Sequence, residues 1–446
     1  MVVGAGMAGL LAAQVLAYHV DRVTVMDRDR LPDGPTGRSG VPQGRHLHTL
    51  MPGGLELADH RFPGLVDELL AGGALPMRFG QDLSVHRPEG RSYLAAVHRP
   101  TPLDTGIGYL SMSRSLLEYT VRRRVRDVDN VEVRGHTAVR GLLTGDDTVR
   151  GVALDDGEQV AADLVVDAAG RPGRSLGWLA DLGVEAPDAS IIHCDIAYAS
   201  ALLRPADPEA MAGGGILVLP DPTSATPTRG GYVTRIEGGM WLAGLCGRSG
   251  DYPPIDPDPW RAFGRTLSTP DWDGLVGTAE IVDGPTGFRY PSSVRRHFDR
   301  MDRYPSGLLA IGDAVGHANP IYGHGISVAA GQAQVLDQVL TDRERQGGDV
   351  AGVAHEFFVG AAEATRGPWA MAAGSDFLSA GTTGDFPDDE LENLLRFVEL
   401  GKLVDTDAHA ASLFVDLYTL RRPWATLESS PWRDHLSPQV TSTPAA

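Results

Sequence analysis

The feature that most constrains the fold is a glycine-rich turn close to the start of the chain, Gly4-x-Gly6-x-x-Gly9. A short apolar segment precedes the turn, and a stretch rich in Ala and Leu at positions 10–18 follows it with helical character. A second apolar segment at positions 22–27 then ends in an acid, Asp27. This order of strand, turn, helix and strand predicts a parallel βαβ unit.

The glycine spacing of this unit is typical of a turn that binds a dinucleotide. Gly4 permits the tight turn, Gly6 lets a pyrophosphate approach the backbone, and Gly9 lets the helix pack against the strand. The N–H groups of the first helical turn face the phosphates, and Asp27 accepts hydrogen bonds from ribose hydroxyls. The alternative is a glycine-rich turn in an unrelated α/β domain. The residues predicted to contact the cofactor here are Gly4, Gly6, Met7, Ala8, Gly9, Asp27 and Arg28.

A second glycine-rich stretch occupies positions 312–327, after an apolar strand at 308–311 and before a helical segment. It reads Gly-Asp-Ala-Val-Gly-His-Ala-Asn-Pro and continues as Ile-Tyr-Gly-His-Gly-Ile-Ser. A helix that starts near Gly325 directs free N–H groups and the positive end of its dipole at whatever lies in front of it. The stretch therefore predicts a second point at which the chain stabilises negative charge.

Together the two stretches resemble the group A flavoprotein monooxygenases, the FAD-dependent superfamily of p-hydroxybenzoate-hydroxylase-like enzymes. The resemblance implies that Asp313 holds the ribityl chain of FAD and that positions 320–326 run alongside the isoalloxazine ring. The helix start near Gly325 then favours negative charge on the reduced flavin by about 1–2 kcal/mol. The residues implied to contact FAD in this stretch are Gly312, Asp313, Pro320, Gly323, Gly325 and Ile326.

Four further positions resemble motifs of the same superfamily, although not every motif is complete in this chain. Asp167 and Gly170 resemble its DG fingerprint, but this chain reads Asp-x-x-Gly-Arg, so a role in binding NADPH does not transfer directly. Arg114 stands at the start of a predicted helix, where the family places an Arg near the FAD phosphates; a surface Arg is the alternative. Arg45, in the loop at 40–48, is the candidate to meet the pyrophosphate.

The residue sequences of this loop and of the second glycine-rich stretch most resemble those of the bacterial polyketide-tailoring branch, which includes epoxidases of the polyether type. The resemblance implies that NADPH or NADH reduces FAD, and that a flavin C4a-hydroperoxide then epoxidises or hydroxylates a hydrophobic polyketide-like or polyene substrate. No catalytic side chain is assigned, because the flavin carries the bond chemistry. The residues expected to form the wall of the substrate pocket, or plain core, are Tyr198, Tyr232, Trp241, Phe288 and Tyr322.

Four other functions use the same FAD-binding residues. They are a non-redox cyclase with FAD bound, a prenyl reductase, a flavin halogenase, and an FAD-binding interaction module without activity. The halogenase is disfavoured because the Trp-x-Trp-x-Ile-Pro motif is absent from the sequence. Consumption of NADPH, a requirement for oxygen, and the mass of the product distinguish the others.

Composition excludes several classes of protein. The 446 residues carry a formal net charge of −19, which disfavours nucleic acid and anionic lipid as partners. The two cysteines, Cys194 and Cys246, are expected to be small buried strand residues, and their scarcity fits a cytoplasmic protein. The pair His46-x-His48 lacks a third ligand, so no metal site is predicted. No apolar run reaches about 18 residues, so no membrane span is expected. The sequence leaves open whether the protein forms a homodimer.

The predicted fold class is α/β, with a Rossmann-like FAD-binding domain, an inserted antiparallel β-sheet substrate domain and C-terminal helices. The first strand has no lead-in, which suggests that a few preceding residues of the natural protein are missing. The predicted divisions are the first part of the FAD-binding domain at 1–75, a substrate-domain hairpin at 76–104, the second FAD-binding part at 105–185, the antiparallel sheet at 186–285, the third FAD-binding part at 286–340, and a helical region at 341–446.

Overall fold

The computed structural model describes residues 1–78, 82–86, 92–93, 108–145, 148–171, 173–211, 213–220, 229–404 and 406–429. Its strands are β1 Val2–Val3, β2 Val23–Met26, β3 Leu75–Arg78, β4 Leu83–His86, β5 Ser92–Tyr93, β6 Gly108–Ser111, β7 Val131–Arg134, β8 Val139–Gly145, β9 Thr148–Leu154, β10 Gln159–Ala161, β11 Val165–Asp167, β12 Ala189–Arg204, β13 Gly215–Val218, β14 Gly230–Arg235, β15 Trp241–Arg248, β16 Glu280–Arg296, β17 Leu308–Ala310, β18 Gly316–His317 and β19 Thr383–Gly384. Its helices are α1 Met7–His19, α2 Pro52–Arg61, α3 Leu65–Ala71, α4 Arg114–Arg126, α5 Ser175–Asp181, α6 Pro257–Gly264, α7 Asp271–Val276, α8 Gly325–Gln346, α9 Ala354–Trp369, α10 Ser375–Phe377, α11 Asp388–Leu403, α12 Ala408–Tyr418 and α13 Ala425–Ser429.

A parallel sheet forms the first layer of the molecule. Within the described ranges its strand order is β17-β11-β1-β2-β7, and Val2 pairs with Val25 on one side and Val166 on the other. Strands β1, β2, β11 and β17 are buried on both faces, as expected for a parallel sheet covered by helices, and the edge strand β7 is partly exposed. The turn after β1 and the turn after β17 therefore open at the same edge, which places the two glycine-rich stretches side by side.

An antiparallel sheet forms the second layer. Its order is β18-β16-β12-β15-β14-β13-β4-β5, with β19 beside β12, and β13 and β4 are the parallel pair in it. The long strands β12 and β16 pair over most of their length. The predicted hairpin at 76–104 contributes β4 and β5 to this sheet, while residues 87–91 between these strands lie outside the described residues.

Helices α9 to α13 pack on one another around an aromatic cluster that contains Trp369, Phe397 and Phe414. Two buried ion pairs connect this helical region to the antiparallel sheet: Arg295 with Glu390, and Arg248 with Asp376. The Rossmann-like sheet, the antiparallel sheet and the C-terminal helices together confirm the predicted fold class.

Within the predicted first part of the FAD-binding domain, α2 and α3 are separate helices, because Pro63 cannot continue the hydrogen-bond ladder and Gly64 takes a left-handed φ of 82°. The expected boundaries at 75, 285 and 340 fall inside β3, β16 and α8, and the other domain boundaries stay predictions. Among the described helices, none combines the length and the apolar character needed to cross a bilayer.

Candidate active site

A cavity of about 550 Å³ lies between the two sheets and the C-terminal helices. We call the end bounded by the two glycine-rich stretches the glycine half, which includes Gly4, Gly6, Asp27, Arg114 and Gly312. We call the end bounded by the antiparallel sheet the sheet half, which includes Ser200, Leu217, Tyr232 and Phe288, with Tyr198 between the two. The volume is within the range of pockets that take small molecules and cofactors.

Most of the residues predicted from the sequence come together on this cavity. Those that line it are Gly4, Gly6, Met7, Ala8, Asp27, Arg28, Arg114, Gly170, Gly312, Asp313, Pro320, Gly323, Gly325 and Ile326. The start of α1 and the start of α8 both belong to the lining, so two helix N-termini present free N–H groups and positive dipole ends to one space.

The glycines divide into two groups by what a side chain would meet. At Gly4, with φ of +110°, a Cβ atom would lie 2.4 Å from the backbone oxygen of Ala168. At Gly6 and Gly325, a Cβ atom would have no protein atom within 4 Å. The space beside Gly6 and Gly325 is therefore open cavity next to bare backbone, and a phosphate or a ring can approach there.

Three predicted residues lie outside the cavity lining. Gly9 packs against the backbone of the turn, since a Cβ atom at Gly9 would lie 1.9 Å from the Gly4 oxygen. The carboxylate of Asp167 is fully buried and accepts hydrogen bonds from the backbone N–H groups of Arg174 and Ser175, so it shapes the turn instead of facing the cavity. Arg45 is exposed and donates to Thr286 at 3.3 Å, because its short 3-10 turn directs the side chain outward.

A buried network that the sequence did not predict surrounds Asp27. Arg38 donates to Asp27 at 3.1 Å, to Asp29 at 2.9 Å and to Glu118 at 2.7 Å, and these four side chains are all less than 10 % exposed. Asp27 also accepts from the Ala5 N–H group at 2.7 Å. Arg114, which lies one helical turn before Glu118 on α4, donates to the Glu118 carboxylate at 3.0 Å. Burial alone would raise the pKa of Glu118, but the two guanidinium groups lower it below its usual range.

Five arginines line the glycine half, although the protein as a whole is acidic, and two of them, Arg38 and Arg114, are paired with the carboxylates described above. The lining arginines are Arg28, Arg38, Arg114, Arg171 and Arg174. The Arg171 guanidinium lies 4.8 Å from the ring centre of Phe288 and 5.2 Å from that of Tyr290. Burial raises the pKa of Asp313, and the nearby guanidinium groups oppose this rise. The guanidinium groups of Arg28, Arg171 and Arg174, which come in addition to these pairs, are complementary to a doubly charged diphosphate.

The sheet half is mostly apolar and aromatic. Its lining includes Leu83, Tyr109, Ile216, Leu217, Val218, Leu245, Cys246, Phe288 and Trp369. Four of the expected wall residues line the cavity, namely Tyr198, Tyr232, Phe288 and Tyr322. The fifth, Trp241, packs instead in the apolar cluster with Trp260 and Trp272. Cys194 and Cys246 are both buried, and burial raises the pKa of Cys246 to about 11, so this thiol stays protonated.

Four histidines on the cavity wall are held neutral. Burial lowers the pKa of His46 to about 4, of His48 to about 3, of His317 to about 3 and of His324 to about 4. His48 donates from Nδ1 to the His46 carbonyl oxygen at 3.1 Å. In the part of the chain that is described, no group of three His, Cys, Asp or Glu side chains is arranged to hold a metal ion.

No protein-family model matches the chain. The chain is 33% identical over 392 residues to protein Rv3254 of Mycobacterium tuberculosis, and the match covers 84% of this chain and 79% of that protein.

Solved structures with the same fold cover nearly all of the chain. The flavin-dependent brominase Bmp2 aligns with a TM-score of 0.67 at 15% identity, over 98% of this chain and 97% of that one. PqsL of Pseudomonas aeruginosa, a probable FAD-dependent monooxygenase, aligns with a TM-score of 0.58 at 17% identity, over 96% and 98%. The Diels-Alderase PyrE3 of pyrroindomycin biosynthesis aligns with a TM-score of 0.58 at 18% identity, over 94% and 79%. The architecture described above is therefore the one found in flavin-dependent enzymes.

Proposed function

Because this chain belongs to the same family as Rv3254 and has the fold of the group A flavoprotein monooxygenases, we propose that it is an FAD-dependent monooxygenase. Its substrate is a hydrophobic small molecule, and the reaction inserts one oxygen atom by epoxidation or hydroxylation. The observation that carries the proposal is the continuity of one cavity from the glycine-bared backbone at Gly6 to the apolar wall of the antiparallel sheet. A cofactor held at the first end reaches a substrate held at the second.

The residues of the glycine half fit FAD. The diphosphate would lie against the bare backbone at Gly6 and the first turn of α1, with Arg114 and Arg174 supplying positive charge. Asp27 would accept from the ribose hydroxyls, and Asp313 from the ribityl chain. The flavin ring would lie near Gly323 and Gly325, in front of the N-terminus of α8.

Bound FAD supplies the activation of dioxygen and the transfer of one oxygen atom, with NADPH or NADH as the proposed electron donor. The chain itself positions the two molecules and keeps water away from them. The N–H groups at the start of α8 stabilise negative charge. The aromatic and aliphatic side chains of the sheet half provide a dry surface for the substrate.

The proposal is tested with purified full-length protein. FAD should be released in equimolar amount on denaturation, and the Gly6→Asp variant should lack it. A panel of polyenes and phenols is then incubated with NADPH under labelled dioxygen, with and without bromide, and product masses are measured. Gain of one labelled oxygen atom supports the proposal, and gain of bromine without oxygen or of two hydrogens contradicts it.

A non-redox cyclase is the second candidate. The fold likeness to a Diels-Alderase and the apolar wall of the sheet half favour it, since a cyclase needs a pocket that folds a polyene. It predicts a product of unchanged mass that forms without NADPH or oxygen. Replacing dioxygen by argon therefore separates the two candidates.

A further inference from the structure

Helices α9 to α13 hold one short segment of the cavity wall near both of its ends. We call residues 319–325 the turn segment, and all seven line the cavity. The segment consists of Asn319, a 3-10 turn at Pro320–Tyr322, Gly323 with a left-handed φ of 70°, His324 and the first residue of α8. Because α8 begins at the end of the segment, the conformation of the segment sets where the N–H groups of α8 point.

Asn319, at the start of the turn segment, has its side-chain amide fixed by partners of known polarity. The Ile321 N–H group only donates, and it meets the side-chain oxygen Oδ1 at 3.1 Å. The amide nitrogen Nδ2 therefore lies on the opposite side, where it donates to the Asp376 carboxylate at 2.9 Å. The backbone N–H group of Asn319 donates to Ser293 at 3.0 Å, and the residue is buried. A flipped amide would place two donors against each other at Ile321, so the observed orientation is the stable one.

Asp376 belongs to the C-terminal helical region and lies behind the cavity lining. It is 1 % exposed and follows shortly after a π-helical turn at Ala370–Gly374, a rare irregularity that is frequent at functional sites. Its Oδ1 atom accepts from Asn319 and also from Arg248 of β15, the latter at 3.2 Å. A ligand in the cavity is therefore connected to this buried ion pair through Asn319, a lining residue that is hydrogen-bonded to it.

A backbone carbonyl group holds the other end of the turn segment. His324 Nε2 lies 3.0 Å from the carbonyl oxygen of Tyr418, the last residue of α12, and a carbonyl oxygen only accepts, so His324 donates. The two rings also pack together, with their centres 5.4 Å apart. The C-terminal helical region thus contacts the segment at Asn319 from α10 and at His324 from α12.

We propose that Asp376 is a positioning residue for the flavin, through which the C-terminal helical region sets the direction of the turn segment. The assignment rests on the proposed function, in which the flavin ring lies near Gly323 and Gly325. Without the Asp376 oxygen, the buried Nδ2 donor of Asn319 is unpaired, which is unfavourable. The amide then rotates toward another acceptor and withdraws Oδ1 from the Ile321 N–H group. The N-terminus of α8 loses its fixed direction toward the flavin ring, and FAD binds more weakly.

A second buried ion pair provides a matched control. Arg295 and Glu390 join the same two regions at 2.9 Å, and the other contact of Arg295 is with the Ala362 carbonyl oxygen, away from the turn segment. A buried ion pair is often replaced by apolar residues of similar volume with little loss of stability. Arg248→Met/Asp376→Leu is therefore compared with Arg295→Met/Glu390→Met.

Hydrogen exchange at the turn segment is the first measurement, and it is made by mass spectrometry on the full chain freed of FAD. Exchange at 319–325 should be about tenfold faster in Arg248→Met/Asp376→Leu than in the native protein, because the Ile321 N–H group loses its acceptor. Arg295→Met/Glu390→Met should exchange there like the native protein. Asp376→Asn keeps an oxygen for Asn319 and should also exchange like the native protein.

FAD affinity, measured by fluorescence titration, is the second measurement. Arg248→Met/Asp376→Leu should bind FAD about tenfold more weakly, while the control pair and Asp376→Asn should stay within about twofold of the native protein. Native exchange and affinity in Arg248→Met/Asp376→Leu, or equal changes in the two pair variants, overturn the assignment.

Asn319→Ala keeps the Arg248–Asp376 ion pair and decides the question if Arg248→Met/Asp376→Leu does not fold. It removes the side chain that links Asp376 to the turn segment, so it should reproduce both the faster exchange and the weaker FAD binding. Native behaviour of Asn319→Ala overturns the assignment. A native protein that binds no FAD contradicts the proposed function, whereas the exchange result is obtained without FAD and stands separately.

Discussion

Bare backbone and charged side chains bound the glycine half of the cavity, whereas uncharged side chains bound the sheet half. In the glycine half, bare peptide groups at Gly6 and Gly325 and two helix N-termini face the space, and no side chain beyond a hydrogen is tolerated at Gly4. In the sheet half, Tyr198, Ser200 and His46 face the space, and remote partners fix their orientation. Backbone recognition suits a cofactor common to many enzymes, whereas oriented side chains suit a substrate particular to one. The predictions below are arranged from the largest expected effect to the smallest.

Removal of Arg38 should cause the largest loss of stability. Arg38→Met leaves Asp27, Asp29 and Glu118 buried without their shared cation, and we expect the free energy of unfolding to fall by about 4 kcal/mol. Urea denaturation at neutral pH, followed by tryptophan fluorescence, measures this. Arg22→Met, which breaks an exposed pair with Glu132, is the control and should cost about 0.5 kcal/mol or less. Equal losses in the two variants would show that the network does not stabilise the glycine half.

A methyl group at Gly9 should be the next most damaging change. Its Cβ atom would lie 1.9 Å from the Gly4 oxygen, so Gly9→Ala should destabilise by about 3 kcal/mol, although Ala is the better helix former. Gly177 is also in a helix, but a Cβ atom there meets nothing within 4 Å. Gly177→Ala should therefore stabilise by up to about 1 kcal/mol. A stable Gly9→Ala variant would mean that the turn is not tightly packed.

The glycine half was predictable in its geometry, whereas for the sheet half only wall residues such as Tyr198 and Phe288 were predictable and their polar contacts were not, for a physical reason. Gly4, Gly6 and Asp27 lie within one βαβ unit, so their spacing reflects a local geometry that any dinucleotide turn requires. His46 and Ser200 meet although they are 154 positions apart, and nothing around either residue indicates the contact. Arg38 lies just before the loop at 40–48 that the sequence analysis singled out, but its three carboxylate partners come from tertiary packing.

Asp376 offered a partial signal, because it is an acid within an apolar stretch at 369–378. Such a group must find partners or change its pKa when it is buried. Its contact with Arg248, however, depends on how the C-terminal helices pack on the antiparallel sheet, and local sequence does not encode that packing. Arg45 was chosen from its place in the loop, and the direction of its side chain depends on the same kind of remote contact, here with Thr286.

A carboxylate at Gly6 should remove FAD without harming the fold. Asp is a favourable residue at a helix N-cap, and the space beside Gly6 is free of protein atoms, so Gly6→Asp should keep the stability of the FAD-free protein. Its negative charge at the place proposed for the diphosphate should weaken FAD binding by about a hundredfold. Fluorescence titration with FAD measures the affinity, and Gly6→Ser, which is uncharged, should lose much less. Tight FAD binding by Gly6→Asp would place the diphosphate elsewhere.

The smallest predicted effect is a change in the pH dependence of stability at Asp376. Burial raises the pKa of this carboxyl group to about 6, although Arg248 and Asn319 favour its anion. Because the folded-state pKa lies above the unfolded value of about 4, the folded protein binds the extra proton between these pH values. This contribution is fully present below about pH 4 and is lost as the pH rises through about 6, a change of about 2 kcal/mol. Asp376→Asn should abolish that slope, while Asp21→Asn, at an exposed site, should keep it. Urea denaturation from pH 4 to 7 measures the slope, and a slope unchanged in Asp376→Asn would show that the Asp376 carboxyl group binds no extra proton in the folded protein across this range.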